Sequence, residues 1–508
     1  MIPRDGSCTS LWQQHMEPYI PSNKADNTLV YDVIIAGGGI TGISTAWMLQ
    51  KLGKNCLVLE AKSIGFGTTG GTTAHLNTIL DTPYTKMIRN FGEDNAKLVA
   101  KAARDAINLI KENIHKLAID CEFKETPAFI FSKNEDQTRE LDDMYMASQQ
   151  VGLQVAYSDK IPVPMPFQKA LRIEKQAKFD PLQYVYALAQ AFETAGGTIQ
   201  QESRVIDIEG DDLLTVTTEE ESFTARAMVF ATHIPIGINL LHLRCAPYRS
   251  YAMAVRLKRD TDYPQGLIYD TDDPYHYYRT QEINGISYLI AGGYDHRTAM
   301  ESNTEKYFLQ LEAHLRTYYE IDEVSYAWSS QYFEPADGLP YIGHLPGHPA
   351  NILVATGFSG NGMVYSQVAA LVITNMLTGK EDPCIKLFDP NRVKPVAGFV
   401  NFIKHNGHVA ASFLGKLLPA DKLDEMAAIA PGDGKVVRYE ENTIAIHKDE
   451  KGNLHALHPE CTHMKCTIAW NAAESSWDCP CHGARFSIIG EVLNGPAAVQ
   501  LGRITLGT

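Results

Sequence analysis

Short apolar runs and helical spacing alternate near the start of the chain. Residues 31–36 and 55–60 are apolar and rich in β-branched side chains, which is typical of buried parallel strands. Residues 40–52, between these runs, have helical spacing, and Gly53 is placed to end the helix. A strand, a helix and a second strand in this order predict a βαβ unit.

The pattern farther along the chain predicts a larger mixed structure. Residues 93–118 carry apolar side chains three and four positions apart, which predicts an amphipathic helix. Residues 246–330 are rich in tyrosine and alternate between polar and apolar positions, which predicts an antiparallel sheet. Residues 352–355 form another buried strand, followed by a glycine-rich turn and a helix to about Leu377.

These patterns predict an α/β domain of the Rossmann type with an inserted mixed-sheet domain, followed by a small all-β domain. The expected boundaries are an N-terminal arm over 1–30, the α/β domain over 31–380, a linker over 381–430 and the all-β domain over 431–508. The inserted domain, which would hold the substrate, is expected mainly over about 115–170 and 246–330. The linker is expected to contain one packing helix over 396–418.

Composition and charge narrow the class of protein. The 508 residues are 44% hydrophobic and 21% charged, as in ordinary globular proteins. The formal net charge of −15 argues against a nucleic-acid partner, because phosphate groups are bound by clusters of Lys and Arg. There is neither a run of roughly 18 apolar residues nor an apolar signal segment at the start, so we expect no membrane span and a cytoplasmic location.

A glycine fingerprint follows the first predicted strand. Gly37, Gly39 and Gly42 have the G-x-G-x-x-G spacing that allows a tight turn, a close approach of the backbone to a pyrophosphate and packing of helix on strand. Glu60, at the end of the next strand, is placed to accept hydrogen bonds from ribose hydroxyls. The spacing predicts a dinucleotide site but does not choose between FAD and NAD.

A second motif lies near the C-terminus, where four of the nine cysteines fall between residues 461 and 481. Cys461 and His463 form a C-x-H pair, and Cys479 and His482 form a C-x-x-H pair fifteen residues later. Two thiolates on one iron and two imidazoles on the other make a Rieske [2Fe–2S] centre. Structural zinc is the alternative, and the order of the ligands with Gly483 after the last histidine favours the cluster.

Residues 30–380 resemble the D-amino-acid-oxidase/glycine-oxidase superfamily of FAD enzymes. The resemblance is carried by VIIAGGGITG with LVLEA, by GFGTTGGTTAHLN at 65–77 and by DGLPYIG with NILVATGFSGNGM at 337–363. It implies non-covalent FAD, with the last glycine-rich turn near the flavin. The residues expected to bind FAD are Gly37, Gly39, Ile40, Gly42, Glu60, Thr68, Thr69, Thr73, Ala74, Val205, Gly360, Asn361, Gly362 and Met363.

The chain departs from these relatives at positions that matter for chemistry. Val364 stands where sarcosine-oxidase relatives have a carboxylate-binding Lys, and Tyr332 stands where glycine-oxidase relatives have an Arg. A free α-amino acid is therefore not the expected substrate, unless Arg279 replaces these groups rather than lying at the surface. Ala291 takes the place of the oxygen-activating Lys, and Ser330 that of the flavin-linked Cys.

Candidate catalytic residues follow from the same resemblance. His75 comes directly after the flavin loop and is either an active-site residue or a packed loop histidine. Tyr278 lies in an aromatic cluster where relatives have a tyrosine on the substrate side. Asp295 and His296 are interpreted as a turn rather than as active-site groups.

Residues 431–508 resemble Rieske ferredoxins, most closely the type found in cytochrome bc complexes. CTHMKC, CPCHG and GPA at 495–497 carry the resemblance, which implies a disulfide between Cys466 and Cys481. Ala484 and Phe486 replace the Ser and Tyr whose hydroxyls bond the cluster sulfurs in those relatives. Fewer such bonds stabilise the reduced state less, so we expect a midpoint below about +300 mV, the top of the Rieske range. A redox titration that gave a midpoint near that ceiling would refute this.

A flavin site joined to a Rieske domain suggests that FADH₂ passes electrons singly to the cluster and then to an outside acceptor. We therefore expect an oxidoreductase that oxidises an amine C–N bond, with a small-molecule amine substrate and an external electron acceptor or donor protein. Loss of the oxygen-activating Lys favours a dehydrogenase. The alternatives are an oxidase with a structural or sensing cluster and an electron-transfer flavoprotein fed by a reductase. A Rieske oxygenase is disfavoured, because no 2-His-1-carboxylate motif is evident.

Overall fold

A computed structural model describes residues 4–392, 429–439 and 442–506. The helix predicted over 396–418 lies outside these residues. Within them, the helices are α1 (Leu11–Gln14), α2 (Ile40–Lys51), α3 (Thr68–Gly71), α4 (Tyr84–Phe91), α5 (Glu93–Leu117), α6 (Glu135–Gln150), α7 (Pro181–Thr194), α8 (Glu305–Tyr318), α9 (Gly362–Leu377) and α10 (Pro383–Phe388).

The strands fall into an N-terminal and a C-terminal group. The first group is β1 (Val30–Ala36), β2 (Cys56–Leu59), β3 (His75–Leu76), β4 (Lys124–Ser132), β5 (Val155–Ser158), β6 (Lys169–Lys178), β7 (Thr198–Gln200), β8 (Val205–Glu209), β9 (Leu214–Thr218), β10 (Ser222–Phe230), β11 (Cys245–Leu257), β12 (Leu267–Asp270), β13 (His276–Ile283), β14 (Ile286–Arg297), β15 (Ile321–Pro335), β16 (Tyr341–His344) and β17 (Ile352–Thr356). The second group is β18 (Gly434–Tyr439), β19 (Asn442–Lys448), β20 (Leu454–Leu457), β21 (Ala469–Asn471), β22 (Ser476–Asp478), β23 (Arg485–Ser487), β24 (Val492–Asn494) and β25 (Arg503–Ile504).

The first sheet contains the predicted βαβ unit. Its order is β16-β17-β10-β1-β2-β7, and the pairs from β17 to β7 are parallel. The hairpin β8–β9 extends it from β10. α2 contacts both α7 and α9, and its buried Ile43, Ala46 and Leu49 belong to the main core. Carboxyl ends of parallel strands meet at one edge, which is where ligands bind in such sheets.

The second sheet is the predicted mixed sheet. Its order is β15-β11-β14-β13-β12-β4-β6-β3, with β5 beside β6, and β4 and β12 run parallel while the other pairs are antiparallel. Residues 246–330 are not entirely strand, because α8 lies within them. Leu311 and Leu315 are fully buried on one face of α8, and this spacing of four positions is helical.

The N-terminal residues pack into the protein. Leu11 and Trp12 of α1 are fully buried in the main core, and Arg4 and Asp5 are buried as well. Ser10 caps α1 by accepting a hydrogen bond from the Gln13 N–H. This segment therefore contributes to the core although its sequence is mostly polar.

The C-terminal region forms the predicted small all-β fold. β18-β19-β20-β25 make one antiparallel sheet and β21-β22-β23-β24 make another. Trp477 and Phe486 are fully buried in its core. Among the helices that the structure describes, none is long and apolar enough to cross a membrane.

Candidate functional site

The glycine turn between β1 and α2 has the geometry that its sequence requires. Gly37 has a φ of +108°, and a Cβ there would lie 2.5 Å from the Ala231 carbonyl oxygen. A Cβ on Gly42 would lie 1.9 Å from the Gly37 carbonyl oxygen. The Ile40 N–H at the start of α2 donates to Thr69 Oγ1 at 3.1 Å, so the flavin loop and the turn are joined.

Glu60 ends β2 beside this turn. Its carboxylate accepts the Gly38 N–H at 2.6 Å and the Lys62 N–H at 2.9 Å. Burial raises the pKa of Glu60, although these N–H groups oppose the shift. The second acceptor position of each oxygen is left for a ligand such as a ribose hydroxyl.

A cavity of about 590 Å³ opens from this turn toward the nine-stranded sheet. It borders the glycine turn at the N-terminal end of α2, the position at which such turns bind the pyrophosphate of a dinucleotide. Twelve of the residues predicted to bind FAD line it, namely Gly37, Gly39, Ile40, Glu60, Thr68, Thr69, Thr73, Val205, Gly360, Asn361, Gly362 and Met363. Gly42 lies behind the turn, and Ala74 is fully buried behind the flavin loop.

Asp81 fixes the second glycine-rich turn, before α9. Its carboxylate accepts the Gly360 N–H at 2.6 Å, and its own N–H donates to Asn361 Oδ1 at 2.8 Å. The carboxylate opens onto the cavity. The surrounding protein, with Asp295 and Glu334 nearby, raises the pKa of Asp81 to about 6. Sequence reasoning missed this residue.

His75 lines the cavity from β3. Its Nδ1 lies 2.7 Å from the Tyr269 hydroxyl, and its Nε2 is buried without a hydrogen-bond partner among the described residues. Burial, with the charges of Arg279 and Lys178 nearby, holds the pKa of His75 well below its ordinary value. These surroundings therefore favour the neutral form of the imidazole.

Tyr278 lies on the other face of β13, away from the cavity. It is fully buried against α8, and its hydroxyl lies 2.6 Å from His314 Nε2. Its neighbours Tyr275 and Tyr277 line the cavity instead. Because side chains alternate between the two faces of a strand, a shift of one position decides which tyrosine meets a ligand.

A carboxylate and two histidines that the sequence did not connect lie behind Tyr278. Asp270 Oδ2 is 2.9 Å from His276 Nδ1, and the His276 and His314 rings stack at 3.8 Å with an angle of 8°. Lys133 Nζ lies 3.1 Å from the same carboxylate and supplies the positive charge that a metal ion would bring. Parallel stacked rings also do not aim their nitrogens at one point, so we interpret the group as a support for the sheet.

The positions at which the chain departs from its relatives fall into two sets. Tyr332 and Ser330 line the cavity, whereas Val364 and Ala291 are buried outside its lining. Arg279 is neither at the surface nor in the lining: its guanidinium donates to the Thr73, Ala74 and Phe179 carbonyl oxygens at 3.0, 2.7 and 3.3 Å. It therefore holds the flavin loop from behind.

The turn interpretation of Asp295 and His296 is wrong, because both belong to β14. Asp295 lines the cavity and accepts the Tyr332 hydroxyl at 3.0 Å. His296 packs instead against Tyr251, whose hydroxyl lies 3.0 Å from its Nε2. The adjacent Gly292 and Gly293 were the available signal, since glycines inside a strand often mark a bulge.

The predicted iron ligands come together at one end of the small domain. Cys461 and His463 lie between β20 and β21, and Cys479 and His482 lie between β22 and β23. The two thiols are within hydrogen-bonding distance of each other, and the two imidazole rings are 5.1 Å apart. Nδ1 of each histidine is buried and has no partner in the described chain. Two thiols and two free imidazole nitrogens fit a Rieske cluster.

A disulfide joins the ligand loops. Cys466 and Cys481 are bonded, with an S–S distance of 2.00 Å. Both sulfurs lie within 4.8 Å of the Cys479 thiol. The bond closes a loop of fifteen residues beside the ligands, as the resemblance implied.

The histidine edge of the cluster site faces the flavin-binding domain. His463 Nε2 lies 2.9 Å from the Gly237 carbonyl oxygen. Because a carbonyl only accepts, Nε2 carries the hydrogen and Nδ1 remains for iron. The His242 ring lies 4.6 Å from the His463 ring and 5.4 Å from the His482 ring. No sequence motif predicts this contact, since the segments are more than 200 residues apart.

Gln331 connects the cavity with the cluster loop. It lines the cavity, and its amide donates to the Gly483 carbonyl oxygen at 2.8 Å, directly after the ligand His482. The small domain also contributes Leu493, Asn494 and Gly495 to the cavity wall. The two candidate cofactor sites are therefore neighbours.

Buried charges hold the small domain in this position. The Glu474 carboxylate accepts from Arg4 at 2.6 Å and from the Ser329 N–H at 2.7 Å, and Arg249 lies 3.6 Å away. Burial alone would raise the pKa of Glu474, but Arg4, Arg249 and Arg485 outweigh it and lower the pKa. The N-terminal segment thus takes part in the contact.

Comparison with known proteins gives matches to both parts of the chain. Residues 32–376 match a family model described as FAD dependent oxidoreductase, and residues 419–505 match one described as Rieske [2Fe-2S] domain. The chain is 34% identical over 493 residues to the putative Rieske 2Fe-2S iron-sulfur protein YhfW of Bacillus subtilis, which covers 96% of each protein.

Two further matches cover only the first part. The chain is 24% identical over 388 residues to gamma-glutamylputrescine oxidoreductase of Escherichia coli, covering 73% of this chain and 89% of that protein. Glycine oxidase from Geobacillus kaustophilus superposes with a TM-score of 0.60 at 18% identity, over 72% of this chain and 99% of that one. The latter likeness concerns the fold.

Proposed function

The chain belongs to the FAD-dependent oxidoreductase family and carries a C-terminal Rieske [2Fe–2S] domain, and from this premise we propose that it is an amine dehydrogenase. It oxidises a C–N bond and delivers the electrons through the iron–sulfur domain to an external acceptor. The bound flavin supplies two-electron oxidation of a carbon next to nitrogen, and the cluster carries one electron at a time.

The observation that carries the proposal is the contact between the two sites. Gln331 lines the cavity and donates to the Gly483 carbonyl oxygen beside a cluster ligand, while His463 donates to the Gly237 carbonyl oxygen. A cluster with a merely structural role would not need its ligand histidines against the wall of the flavin cavity. Their position instead supports passage of electrons between the two sites within one chain.

His75 is the group that we assign to proton transfer. A substrate amine must lose its proton before the adjacent carbon is oxidised, and a neutral imidazole is a suitable acceptor. In the tautomer whose Nδ1 donates to the Tyr269 hydroxyl, at 2.7 Å, the lone pair is on Nε2, which is buried and has no hydrogen-bond partner among the described residues. Tyr278, which the sequence favoured, has no contact with the cavity, so Tyr277 takes its place in the proposal.

Preference for an external acceptor over oxygen rests on two residues. Ala291, in the place of the oxygen-activating Lys, is fully buried and carries no charge. Arg279 is held by backbone carbonyl oxygens and lies outside the cavity lining. Neither of these two positions therefore supplies the positive charge that would favour oxygen reduction.

The test is anaerobic stopped-flow spectroscopy of the holoenzyme mixed with a panel of primary and secondary amines. Flavin bleaching followed by loss of the Rieske absorbance is the expected result. Bleaching with an unchanged cluster and rapid reoxidation by air would identify an oxidase. No bleaching with any amine would reject amine oxidation and favour electron transfer from a reductase.

A variant tests the contact itself. Gln331→Leu removes the hydrogen bond to Gly483 with little change of volume, and we expect cluster reduction to slow by about ten- to a hundredfold while flavin bleaching keeps its rate. Gln149→Leu, at an exposed position of α6, is the control. Equal rates of cluster reduction in the two variants would contradict the assigned route.

A further inference from the structure

Acidic side chains dominate the part of the cavity that lies beside the nine-stranded sheet. Asp81, Asp295 and Glu334 line it. In the described lining of this part, Lys86 is the basic side chain, while Lys62 and Arg204 lie with Glu60 and Val205 at the dinucleotide turn. Asp270 also borders the cavity, but it is paired with Lys133 and His276.

A bulge in β14 aims Asp295 into the cavity. Arg249 of β11 pairs with His296, and Tyr251 pairs with Gly293. Two residues of β14, Tyr294 and Asp295, therefore oppose the single Ser250. Tyr294 has a φ of 58°, and such an irregularity turns a side chain out of the normal alternation of the strand. A regular strand would place Asp295 differently.

The Asp295 carboxylate is surrounded by the hydroxyl groups of Ser250, Tyr275 and Tyr332, and no cationic side chain pairs with it among the described residues. Its Oδ2 accepts the Tyr332 hydroxyl at 3.0 Å. Its Oδ1 is buried and has no hydrogen-bond partner among the described residues. A carboxylate without a cationic partner is costly in such a site, and a cationic ligand in the cavity that Asp295 lines would offset that cost.

Tyrosine rings surround this carboxylate. Tyr269, Tyr275, Tyr277 and Tyr332 all line the cavity. Tyr332 stacks on Tyr248 at 5.6 Å, and the Tyr277 hydroxyl lies 3.1 Å from Ser250 Oγ, so these rings are held in place. Aromatic faces attract ammonium groups, and the rings therefore reinforce the preference of the carboxylates.

Apolar side chains complete this part of the wall. Ile79, Leu80, Ile130 and Met144 line it. Such a surface accommodates an aliphatic chain by the ordinary hydrophobic effect. The lining offers no arginine for a substrate carboxylate here, because Arg279 is bound to backbone carbonyl oxygens outside the cavity.

We propose that this cavity recognises an aliphatic amine that carries no carboxylate, with its ammonium group bound by Asp295 and the surrounding tyrosine rings. The inference deepens the proposed amine oxidation and rests on it. The second carboxylate, Asp81, favours a diamine over a monoamine. An amino acid is disfavoured, because its carboxylate would meet acidic side chains.

Three ligands of one chain length test the proposal: 1,4-diaminobutane, butylamine and 4-aminobutanoate. They differ in one terminal group, which is an ammonium, a methyl or a carboxylate. Isothermal titration calorimetry of the holoenzyme under nitrogen should rank their affinities in that order, with the amino acid at least about tenfold weaker than butylamine. Equal or tighter binding of 4-aminobutanoate, or no binding of either amine, would overturn the proposal.

Asp295→Asn should lower the affinity for 1,4-diaminobutane by at least about tenfold, because a hydrogen bond between charged groups is lost. Asp212→Asn, at an exposed position, should leave the affinity unchanged. Equal affinities in the two variants would reject the assigned role of Asp295. If the diamine binds through Asp295 but leaves the flavin oxidised, the recognition stands and the proposed reaction fails.

Discussion

Two groups of carboxylates, one buried at the contact between the domains and one lining the cavity, have opposite electrostatic surroundings. At the contact between the domains, Glu474 faces Arg4 and Arg249, and Asp478 pairs with Arg485 at 3.0 Å. In the cavity, Asp295 is bonded to a tyrosine hydroxyl and Asp81 to a backbone N–H.

The pKa shifts follow this difference. At the domain contact the arginines outweigh burial and lower the pKa of Glu474 and of Asp478. In the cavity burial prevails, and the pKa of Asp81 and of Asp295 is raised. Arginine side chains neutralise the carboxylates of the first group, which hold the two domains together. The second is left with negative charge that a cationic ligand would neutralise.

The largest expected effect is on the free energy of unfolding when a carboxylate at the domain contact is neutralised. Glu474→Gln removes the carboxylate that faces Arg249 and leaves Arg4 with Asp5 as its remaining ion-pair partner, so we expect the unfolding free energy to fall by about 3–5 kcal/mol. Urea unfolding followed by the visible circular dichroism of the cluster measures this.

Glu282→Gln, at an exposed position of β13, is the matched control and should change little. If Glu474→Gln were as stable as this control, the carboxylate would not be holding the domains together. The structural role that we assign to the carboxylates at the domain contact would then be rejected.

An intermediate effect concerns pH. Asp81 has a pKa of about 6 in the folded protein, so it is mostly protonated at pH 5 and mostly ionised at pH 7. An alkylammonium stays protonated throughout. Affinity for 1,4-diaminobutane, measured by calorimetry, should therefore rise by up to about tenfold from pH 5 to pH 7.

Asp81→Asn should remove most of this rise in affinity, since an amide does not titrate in that range.

The free energy of unfolding depends on pH in the opposite sense. A carboxyl whose pKa is raised by folding stabilises the protein at low pH, and this contribution disappears as pH increases through about 6. An affinity that does not vary with pH would show that Asp81 takes no part in binding.

The smallest expected effect is on the free energy of unfolding when a carboxylate of the cavity is neutralised. Asp295→Asn removes a poorly compensated charge, so at pH 7 the ligand-free protein should gain about 0.5–1 kcal/mol of unfolding free energy. Thermal unfolding without ligand provides the measurement. A loss of unfolding free energy as large as that of Glu474→Gln would mean that Asp295, like Glu474, stabilises the fold.

Tyr277 and Tyr278 show which features of the cavity can be predicted from the sequence and which cannot. The aromatic cluster on β13 was recognised, but a strand places adjacent side chains on opposite faces. Tyr278 pairs with His314 behind the sheet, and Tyr277 lines the cavity. At an identity as low as the 18% shared with glycine oxidase, a resemblance does not fix an alignment to one residue, and a shift of one residue changes the face of the strand.

Features whose parts are close together along the chain could be predicted from the sequence. The glycine turn and Glu60 lie within 24 residues, and the four cluster ligands and the disulfide lie within 22 residues, so local chain geometry brings their atoms together. The remaining features depend on the packing of distant segments. A bulge exposes Asp295 to the cavity, and Gln331 meets Gly483 across 152 positions. Such contacts depend on how whole sheets pack, and no local pattern of residues encodes that packing.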